Sequence, residues 1–383
     1  MASSNSPIEW TDASWNPVRG CSRVSEGCRH CYAERVAYRF GGVGKPYEGL
    51  VRLGKQGPVW TGVVRLIESA LAEPLGWRVP QKIFVNSMSD LFHESLPDAA
   101  IDQVYAVMLL TPWHTHQVVT KRPERAARYL NDPTLYSRVL EAATKVRAAR
   151  RGFKHGPDKA RLDQIAISNP ATHPPRWIWL LTSVENQETA DERIPHLLRC
   201  PAAVRGVSYE PALGPVDFSR WLLRPGDLRV GFSCDECQAG SVAVDEDGCC
   251  ATCGADARSV PGLDWIIAGG ESGPGARPPH PKWFQDARDQ AQASAGAAFF
   301  FKQWGAWQLG SAAGREGLIV LSDGSTCAAE RNACEEHARL IGGSDAWSRL
   351  SPNVMTNVGK KLAGRLLDGV EHSAFPQVGV PRG

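Results

Sequence analysis

Three cysteines stand close together near the N-terminus, in the stretch RGCSRVSEGCRHCYAE. Cys21, Cys28 and Cys31 have the spacing C-x6-C-x2-C, one thiol short of a closed tetrahedral zinc site and one more than a disulfide needs. Three interpretations are open: a zinc site completed by a distant histidine or carboxylate, a redox thiol set, or a [4Fe–4S] cluster with one iron left open. A thioredoxin-like motif would use only Cys28 and Cys31.

The third interpretation brings a particular chemistry with it. An iron with vacant coordination positions can chelate the amino and carboxylate groups of S-adenosylmethionine. One electron from the cluster then cleaves the sulfonium and yields a 5′-deoxyadenosyl radical. In such enzymes the cofactors carry the chemistry, and the protein supplies geometry, electrostatics and a dry site.

A second cysteine group follows much later, in CDECQAGSVAVDEDGCCATC. Two C-x2-C pairs separated by twelve residues are typical of a zinc ribbon, in which four thiolates close a tetrahedron. The predicted Zn²⁺ ligands are Cys234, Cys237, Cys250 and Cys253. A closed site of this kind either stabilises a long loop or presents a surface to nucleic acid.

The composition is that of a soluble globular protein. The chain has 383 residues, 43% of them hydrophobic, and a net charge of +2. The N-terminus lacks a basic stretch followed by an apolar run, and no window approaches the length of a transmembrane helix. We therefore expect a cytoplasmic protein without membrane contact, in which clustered thiols stay reduced and bind metal.

Short apolar runs recur along the chain and are followed by helical patterns. The runs are KIFVNSMSD (82–90), HQVVTKRPER (116–125), WIWLLTSVENQ (177–187), VRGVSYEPALGP (204–215), DWIIAGGESG (264–273) and AFFFKQWG (298–305). Unbroken apolar runs predict buried parallel strands, and their alternation with helices predicts an α/β sheet or barrel. Each run ends in polar residues, and strand C-termini in such barrels face the active site. Six such endings favour a shared pocket.

Two segments interrupt this pattern. The predicted organisation is a barrel with its first part in 1–225, including a basic insertion (141–176), a zinc-ribbon insertion (226–262), the last barrel strands (263–310), and a C-terminal extension (311–383). The extension ends in NVGKKLAGRLLDG, which predicts an amphipathic helix closed by Gly369. The basic run at 145–161 is either a phosphate-contacting patch or a solvated surface.

The chain resembles radical S-adenosylmethionine enzymes, and more closely the phage-associated three-cysteine-motif family. The matching stretches appear in order: SWNPVRGCSRVSEGCRHCYAE, VNSMSDLFHE, TKRPER, SVENQ, SYEPALGP, AGGESG, FFFKQWG and VGKKLAGRLLDG. The loop departs from the usual C-x3-C-x2-C spacing by three residues, and His30 stands where an aromatic residue usually precedes the last cysteine.

The resemblance implies a partial (β/α) TIM-like barrel of the radical S-adenosylmethionine type, with the cluster loop after the first strand. It places cluster and cofactor binding at Cys21, Cys28, Cys31, Tyr32, Asn86, Ser87, Ser89 and Asp90. Ser183, Glu185 and Asn186 lie on the strand that usually contacts the ribose, and Gly269, Gly270 and Glu271 form a Gly-Gly-Glu element for cofactor or substrate. The catalytic candidates, chosen by location, are Tyr209, Glu210 and Lys302.

The resemblance also implies a function. We expect modification of a nucleic-acid base, by isomerisation of an amino-acid adduct on a 5-substituted uracil in hypermodified phage DNA. The expected reductant is flavodoxin or ferredoxin, and the expected location is the host cytoplasm. The base must be flipped out or single-stranded to reach a barrel mouth. The alternatives are DNA repair like that of spore photoproduct lyase, and a non-catalytic, metal-stabilised nucleic-acid-binding protein.

Overall fold

The structure is a computed structural model that describes residues 6–149, 174–223, 232–234, 239–242, 258–259, 262–313, 315, 317–328 and 349–377. The chain forms two compact units. The first comprises Met1–Pro211, Ser272–Ala276 and Val378–Gly383, and the second comprises Ala212–Glu271 and Arg277–Gln377.

Five parallel strands form the sheet of the first unit. They are β1 (Ala13–Trp15), β2 (Lys82–Val85), β3 (Thr115–Thr120), β4 (Ile178–Ser183) and β5 (Val204–Tyr209). Their order in the sheet follows their order in the chain, with Ala13 beside Ile83 and Leu181 beside Gly206. All six side chains of β4 are buried, which is why its sequence is an unbroken apolar run.

Helices connect these strands. They are α1 (Tyr32–Arg39), α2 (Asp98–Leu110), α3 (Pro123–Leu130), α4 (Leu135–Ala149) and α5 (Gln187–Leu198), with short turns at Glu26–Cys28, Glu68–Leu71 and Pro74–Gly76. Ten of the thirteen residues of α2 are buried, so this helix belongs to the core of the unit. Pro123 begins α3, at a position where the missing N–H costs nothing.

The connection between β1 and β2 is long and carries the three cysteines. It contains α1, a hairpin of Val51–Gly54 and Gly57–Trp60, and a ladder between Val18–Arg19 and Arg65–Leu66. Gly20, just before Cys21, has φ +94°, and a Cβ at this position would lie 2.0 Å from the carbonyl oxygen of Val63. Only glycine permits this close approach, which holds the start of the cysteine loop against the backbone at Val63.

The second unit has two parallel strands and an antiparallel sheet. The parallel strands β6 (Trp265–Gly269) and β7 (Ala298–Gln303) pair with each other and are joined through α6 (Pro281–Ala293). The antiparallel sheet contains β8 (Trp307–Leu309), β9 (Gly317–Val320), β10 (Thr326–Ala328) and β11 (Asn353–Asn357), in the order β8-β11-β9-β10. The short turn Ser219–Trp221 also belongs to this unit.

Three short antiparallel strands lie within the predicted zinc-ribbon segment. They are Phe232–Cys234, Ala239–Val242 and Arg258–Ser259, with the first strand in the middle. Cys234 ends the first of these strands. Cys237, Cys250 and Cys253 lie outside the described residues, as does the basic run beyond Ala149, so the zinc site stays a prediction.

The C-terminal segment differs from the predicted helix. The helix is a single turn, Lys360–Ala363, and Gly364 ends it at φ +77°. The chain then forms a hairpin between Leu366–Leu367 and Val370–Glu371. Asp368 and Gly369 both have positive φ, as the tight hairpin turn requires, and an Asp-Gly pair is a strong signal for this turn. The turn chemistry therefore outweighs the helical pattern.

The predicted α/β class with parallel strands is confirmed. Seven parallel strands, five in the first unit and two in the second, follow the chain order expected of a partial barrel. Within the described part of the chain, no helix combines the length and the apolar character needed to cross a membrane.

Candidate functional site

The three cysteines lie in the first unit, on the connection after β1. Cys28 ends the short turn Glu26–Cys28, and Cys31 occupies the N-cap position of α1. All three thiols are free and partly buried. Cys21 and Cys31 pack against one apolar cluster, which consists of Ala33, Ala37, Tyr47, Leu50, Trp60 and Met88.

Burial raises the pKa of two of the three thiols, those of Cys21 and Cys31. Burial raises the pKa of Cys21 to about 12, the Asp90 carboxylate adds to the rise, and the Arg122 guanidinium opposes it. Burial also raises the pKa of Cys31, whereas hydrogen bonds from the backbone amides of Ala33 and Glu34 act to lower it. Thiols with raised pKa values are poor nucleophiles at neutral pH, so Cys21 and Cys31 lack the low pKa of a reactive thiol. A bound metal would displace their protons.

Three sets of contacts, here called anchors, hold the cysteine loop. The first joins the loop to α1 and the hairpin. The Glu34 carboxylate is 2% exposed and accepts hydrogen bonds from Arg23 Nε (2.9 Å) and Nη2 (2.6 Å). It also accepts one from the Trp60 amide (3.2 Å). Because the Arg23–Glu34 pair is bidentate, it defines the direction of the chain between Cys21 and Cys28.

The second anchor joins the loop to the residues after β2 and β3. Arg122 Nη2 donates to Ser22 Oγ (2.8 Å), and its Nε donates to Glu94 Oε1 (2.7 Å). His93 Nδ1 accepts from the Ser95 amide, so its Nε2 carries the proton and donates to Ser22 Oγ (2.8 Å). Burial and the nearby Arg122 lower the pKa of His93, which keeps this imidazole neutral.

Asp90 completes the second anchor. One carboxylate oxygen accepts from the Phe92 amide (3.0 Å) and Thr120 Oγ1 (2.7 Å). The other accepts from the Lys121 amide (3.0 Å) and Arg122 Nη1 (3.0 Å). With four donors on two oxygens, Asp90 positions Arg122 and has little capacity left for a ligand.

The third anchor is the Glu185 carboxylate, which is 1% exposed and follows β4. It accepts hydrogen bonds from Ser25 Oγ (2.9 Å), Arg193 Nη1 (3.1 Å) and Lys121 Nζ. Burial acts to raise the pKa of Glu185, but Lys121 and Arg193 outweigh it and hold the pKa below its usual value. A Cβ on Gly27 would lie 2.3 Å from Glu185 Oε1, so the loop backbone lies directly against this carboxylate.

The residues after β2 contact the start of the cysteine loop. Asn86 is buried with φ +61°, and its Oδ1 accepts from the Val18 amide (3.2 Å). Its Nδ2 is buried and has no hydrogen-bond partner. Ser89 Oγ donates to the Val18 carbonyl (2.8 Å), and Tyr32 Oη donates to the Ser87 carbonyl (2.5 Å). An unpaired buried donor costs about 1–3 kcal/mol, which makes Asn86 a candidate ligand-binding residue.

The predicted residues after β4 have structural partners. The Ser183 carbonyl accepts from Arg193 Nη1 (2.8 Å). Asn186 caps α5, since its Oδ1 accepts from the Thr189 amide (3.0 Å). This N-cap satisfies one of the amides at the start of the helix, so Asn186 has a structural reason to be present.

Tyr209 and Glu210 end β5. Tyr209 is fully buried, whereas Glu210 is partly exposed. Burial of the hydroxyl raises the pKa of Tyr32, and the negative charge of Glu210 adds to this rise. The charge of Glu210 therefore acts on the Tyr32 hydroxyl.

The Gly-Gly-Glu element and Lys302 belong to the second unit. A Cβ on Gly270 would lie 2.1 Å from the Trp304 carbonyl oxygen, so Gly270 permits a close backbone contact after Gly269, the last residue of β6. The Glu271 carboxylate accepts three hydrogen bonds from Arg277, donated by Nη2 (2.6 Å), Nε (2.9 Å) and the backbone amide (2.8 Å). These contacts shape a turn. Lys302 is partly buried on β7.

Comparison with protein-family models assigns the chain to one family. The model of DUF5131, a family described as proteins of unknown function, matches residues 5–376. The chain belongs to the DUF5131 family. No curated protein and no solved structure matches it. For this DUF5131 protein, the site itself must therefore carry the functional argument.

Sequence reasoning named Asp90 and Glu185 as site residues but missed the other residues that hold the loop in place. Lys121 and Arg122 are recognisable only as polar residues after a strand, and His93 only as part of a matching stretch. Gly27 and Ser25 have no sequence signal, because their roles depend on Glu185, 158 or more positions later in the chain. Among the residues that the structure describes, no three His, Cys, Asp or Glu side chains converge closely enough to hold one metal ion.

We predict that Gly27→Ala destabilises the protein. The added Cβ would overlap Glu185 Oε1, so the loop or the carboxylate must move, at a cost of about 1–3 kcal/mol. Chemical denaturation of the reduced, metal-free protein measures this loss. Gly42→Ala is the matched control, since the nearest atom there is Lys45 Cγ at 3.8 Å. Equal stability of the two variants would contradict the third anchor.

We also predict a pH-dependent contribution from Glu185. Because Lys121 and Arg193 lower its pKa on folding, its stabilisation is present above the unfolded-state pKa and is lost as pH falls through the folded-state value. Glu185→Gln should cost about 2–4 kcal/mol at neutral pH, since it leaves two buried cations without their anion.

Denaturation curves of the Glu185→Gln variant and the unaltered protein, compared at neutral and at acidic pH, measure this effect. The stability difference should shrink toward acid. The control is Glu188→Gln, an exposed glutamate in the first turn of α5, with an expected loss below about 1 kcal/mol. A difference that stays constant with pH would refute the charged role of Glu185.

Proposed function

We propose that this DUF5131 protein is a radical S-adenosylmethionine enzyme whose cysteines at 21, 28 and 31 hold a [4Fe–4S] cluster. The observation that carries the proposal is the arrangement of three free thiols on one loop that three buried anchors hold rigidly. Two of the anchors, the second and the third, reach the residues after β2, β3 and β4, where the carboxyl ends of parallel strands meet. A catalytic site needs this kind of preorganised support.

The donor set fits a cubane cluster. Cysteine thiolates are the usual ligands of [4Fe–4S] clusters, and each thiolate binds a separate iron. The thiols therefore need to surround a volume rather than meet at one point. In a tetrahedral zinc site, by contrast, the sulfurs share one ion at ~2.3 Å each.

The surroundings also suit S-adenosylmethionine. When bound, the cluster and this cofactor supply a 5′-deoxyadenosyl radical. The buried Nδ2 of Asn86 lacks an acceptor, and the carboxylate of the methionine moiety is a suitable one. Ser87 and Ser89 direct their hydroxyls to Asn16 Oδ1 and the Val18 carbonyl, so they support the loop that carries Asn86.

For the substrate we propose a nucleic-acid base, with isomerisation of an amino-acid adduct on a 5-substituted uracil as the reaction. This part of the proposal is supported by the resemblance of the sequence motifs to the phage-associated three-cysteine-motif family. A base must leave the helical stack to reach a strand-end site. Glu210 is better placed than Tyr209 to contact such a substrate, because it is partly exposed whereas Tyr209 is fully buried.

We predict that Cys21→Ala, Cys28→Ala and Cys31→Ala each abolish iron–sulfur content and 5′-deoxyadenosine formation. Three ligands are the minimum for holding the cluster, so the loss of one leaves two irons without protein ligands. The measurements are iron and sulfide analysis after anaerobic reconstitution, and product detection by mass spectrometry with S-adenosylmethionine and a strong reductant. Cys200→Ala is the control, since Cys200 is a free, buried thiol outside the loop.

Two outcomes would contradict this assignment. Turnover retained in any of the three loop variants would remove that residue from the ligand set. A colourless protein after reconstitution, with zinc bound at both cysteine groups, would favour the non-catalytic metal-stabilised protein. Nucleoside mass spectrometry after incubation with modified DNAs would then separate isomerisation of an adduct from repair of a photoproduct.

A further inference from the structure

The exposed side of α1 forms one continuous face beside the cysteine loop. Tyr32, Val36 and Arg39 are exposed and have the spacing i, i+4 and i+7, so they lie along one side of the helix, and the partly buried Arg35 lies on the same side. The opposite side is buried in the apolar cluster. The face begins directly after Cys31 and extends ~10 Å along the helix axis, at 1.5 Å per residue.

Exposed apolar and aromatic side chains are concentrated on this part of the chain. Eight of the thirteen large hydrophobic residues that are exposed in the described structure lie between Val24 and Val63. Tyr38 and Phe40, at the end of α1, are 47% and 45% exposed. Neither ring has an aromatic, hydrogen-bonding or cationic partner in the described part of the chain. Clustered exposed apolar residues, unlike single ones, mark a binding surface.

Positive charge is concentrated on the same segment. Residues 19–65 contain nine Lys or Arg and only three Glu, although the whole chain has a net charge of only +2. Four of the cations are exposed and make no ion pair or hydrogen bond through their side chains among the described residues: Arg39, Lys45, Arg52 and Lys55.

The hairpin extends this charged and aromatic face. Trp60 of the hairpin packs in the same cluster as Ala33 and Ala37 of α1, so the two elements are held together by their buried sides. Arg52, on the first strand of the hairpin, and Lys55, in its turn, are both exposed. We define the basic aromatic face as Tyr38, Arg39, Phe40, Lys45, Arg52 and Lys55.

We propose that the basic aromatic face binds single-stranded DNA and leads it to the cysteine loop. Unpaired cations contact phosphates, and exposed rings provide stacking platforms for bases, which is the combination that single-strand binding requires. The choice of DNA as the polyanion rests on the proposed function. An anionic membrane is a poorer match, because α1 has eight residues and Val36 is the only aliphatic side chain on its exposed face.

The charge contribution is tested with the variant R39Q/R52Q/K55Q. Fluorescence anisotropy of a labelled single-stranded oligonucleotide measures Kd over a range of salt concentrations. Three lost phosphate contacts should weaken binding at least tenfold and reduce the slope of log K against log salt by about 2. The control R128Q/R199Q/K282Q removes the same charge from exposed positions elsewhere and should bind as the unaltered protein does.

The aromatic contribution is tested with Tyr38→Ala and Phe40→Ala. Each should weaken binding about fivefold or more, because a base–ring stack is lost, while the salt slope stays unchanged. Both side chains are exposed, so the variants should fold, and thermal denaturation checks this. A weaker affinity with an unchanged salt slope indicates lost stacking, whereas a weaker affinity with a reduced salt slope indicates lost positive charge.

Three outcomes would overturn the proposal: unchanged binding in R39Q/R52Q/K55Q, equal loss in the control, and tighter binding to vesicles containing phosphatidylserine than to the oligonucleotide. Binding is measured without S-adenosylmethionine and does not require turnover. If the unaltered protein binds the oligonucleotide but forms no 5′-deoxyadenosine, the proposed function alone is contradicted. If it forms 5′-deoxyadenosine but does not bind the oligonucleotide, the basic aromatic face alone is contradicted.

Discussion

The buried carboxylate of Glu185 is the interaction on which the cysteine loop depends most. It joins the loop, through Ser25 and the backbone of Gly27, to Lys121 after β3 and Arg193 on α5. A buried anion between two cations has a high desolvation cost and is stable only when every partner is in place. The loop has little regular structure of its own, so this requirement gives it one conformation.

The other two anchors work on the same principle at different points of the loop. Arg23 and Glu34 hold the segment after Cys21, and Arg122 with His93 holds Ser22. Together the anchors leave the thiols free of strong hydrogen bonds while fixing the backbone around them. This division suits a metal site, because ligands must exchange protons for metal without any rearrangement of the chain that carries them.

Most of the polar residues at the strand ends support the site rather than line it. Asp90 has four donors on its carboxylate, Asn186 caps a helix, and Glu271 pairs with Arg277. Asn86 differs from these three residues, since its buried amide nitrogen has no partner. The distinction follows from hydrogen-bond capacity: a saturated group positions its neighbours, whereas an unsatisfied buried donor is stabilised by an incoming acceptor.

The sequence by itself determined the α/β class, the parallel strands and the cysteine loop, because apolar runs and thiol spacing are local signals. It misjudged the C-terminal helix, where an Asp-Gly turn outweighed the helical pattern. Only the tertiary structure decided which polar residues reach the loop. Glu185 and Ser25 are 160 positions apart, and nothing local in either predicts their contact. A buried charge is stable only when it is paired, and the tertiary structure determines which groups lie close enough to pair with the Glu185 carboxylate.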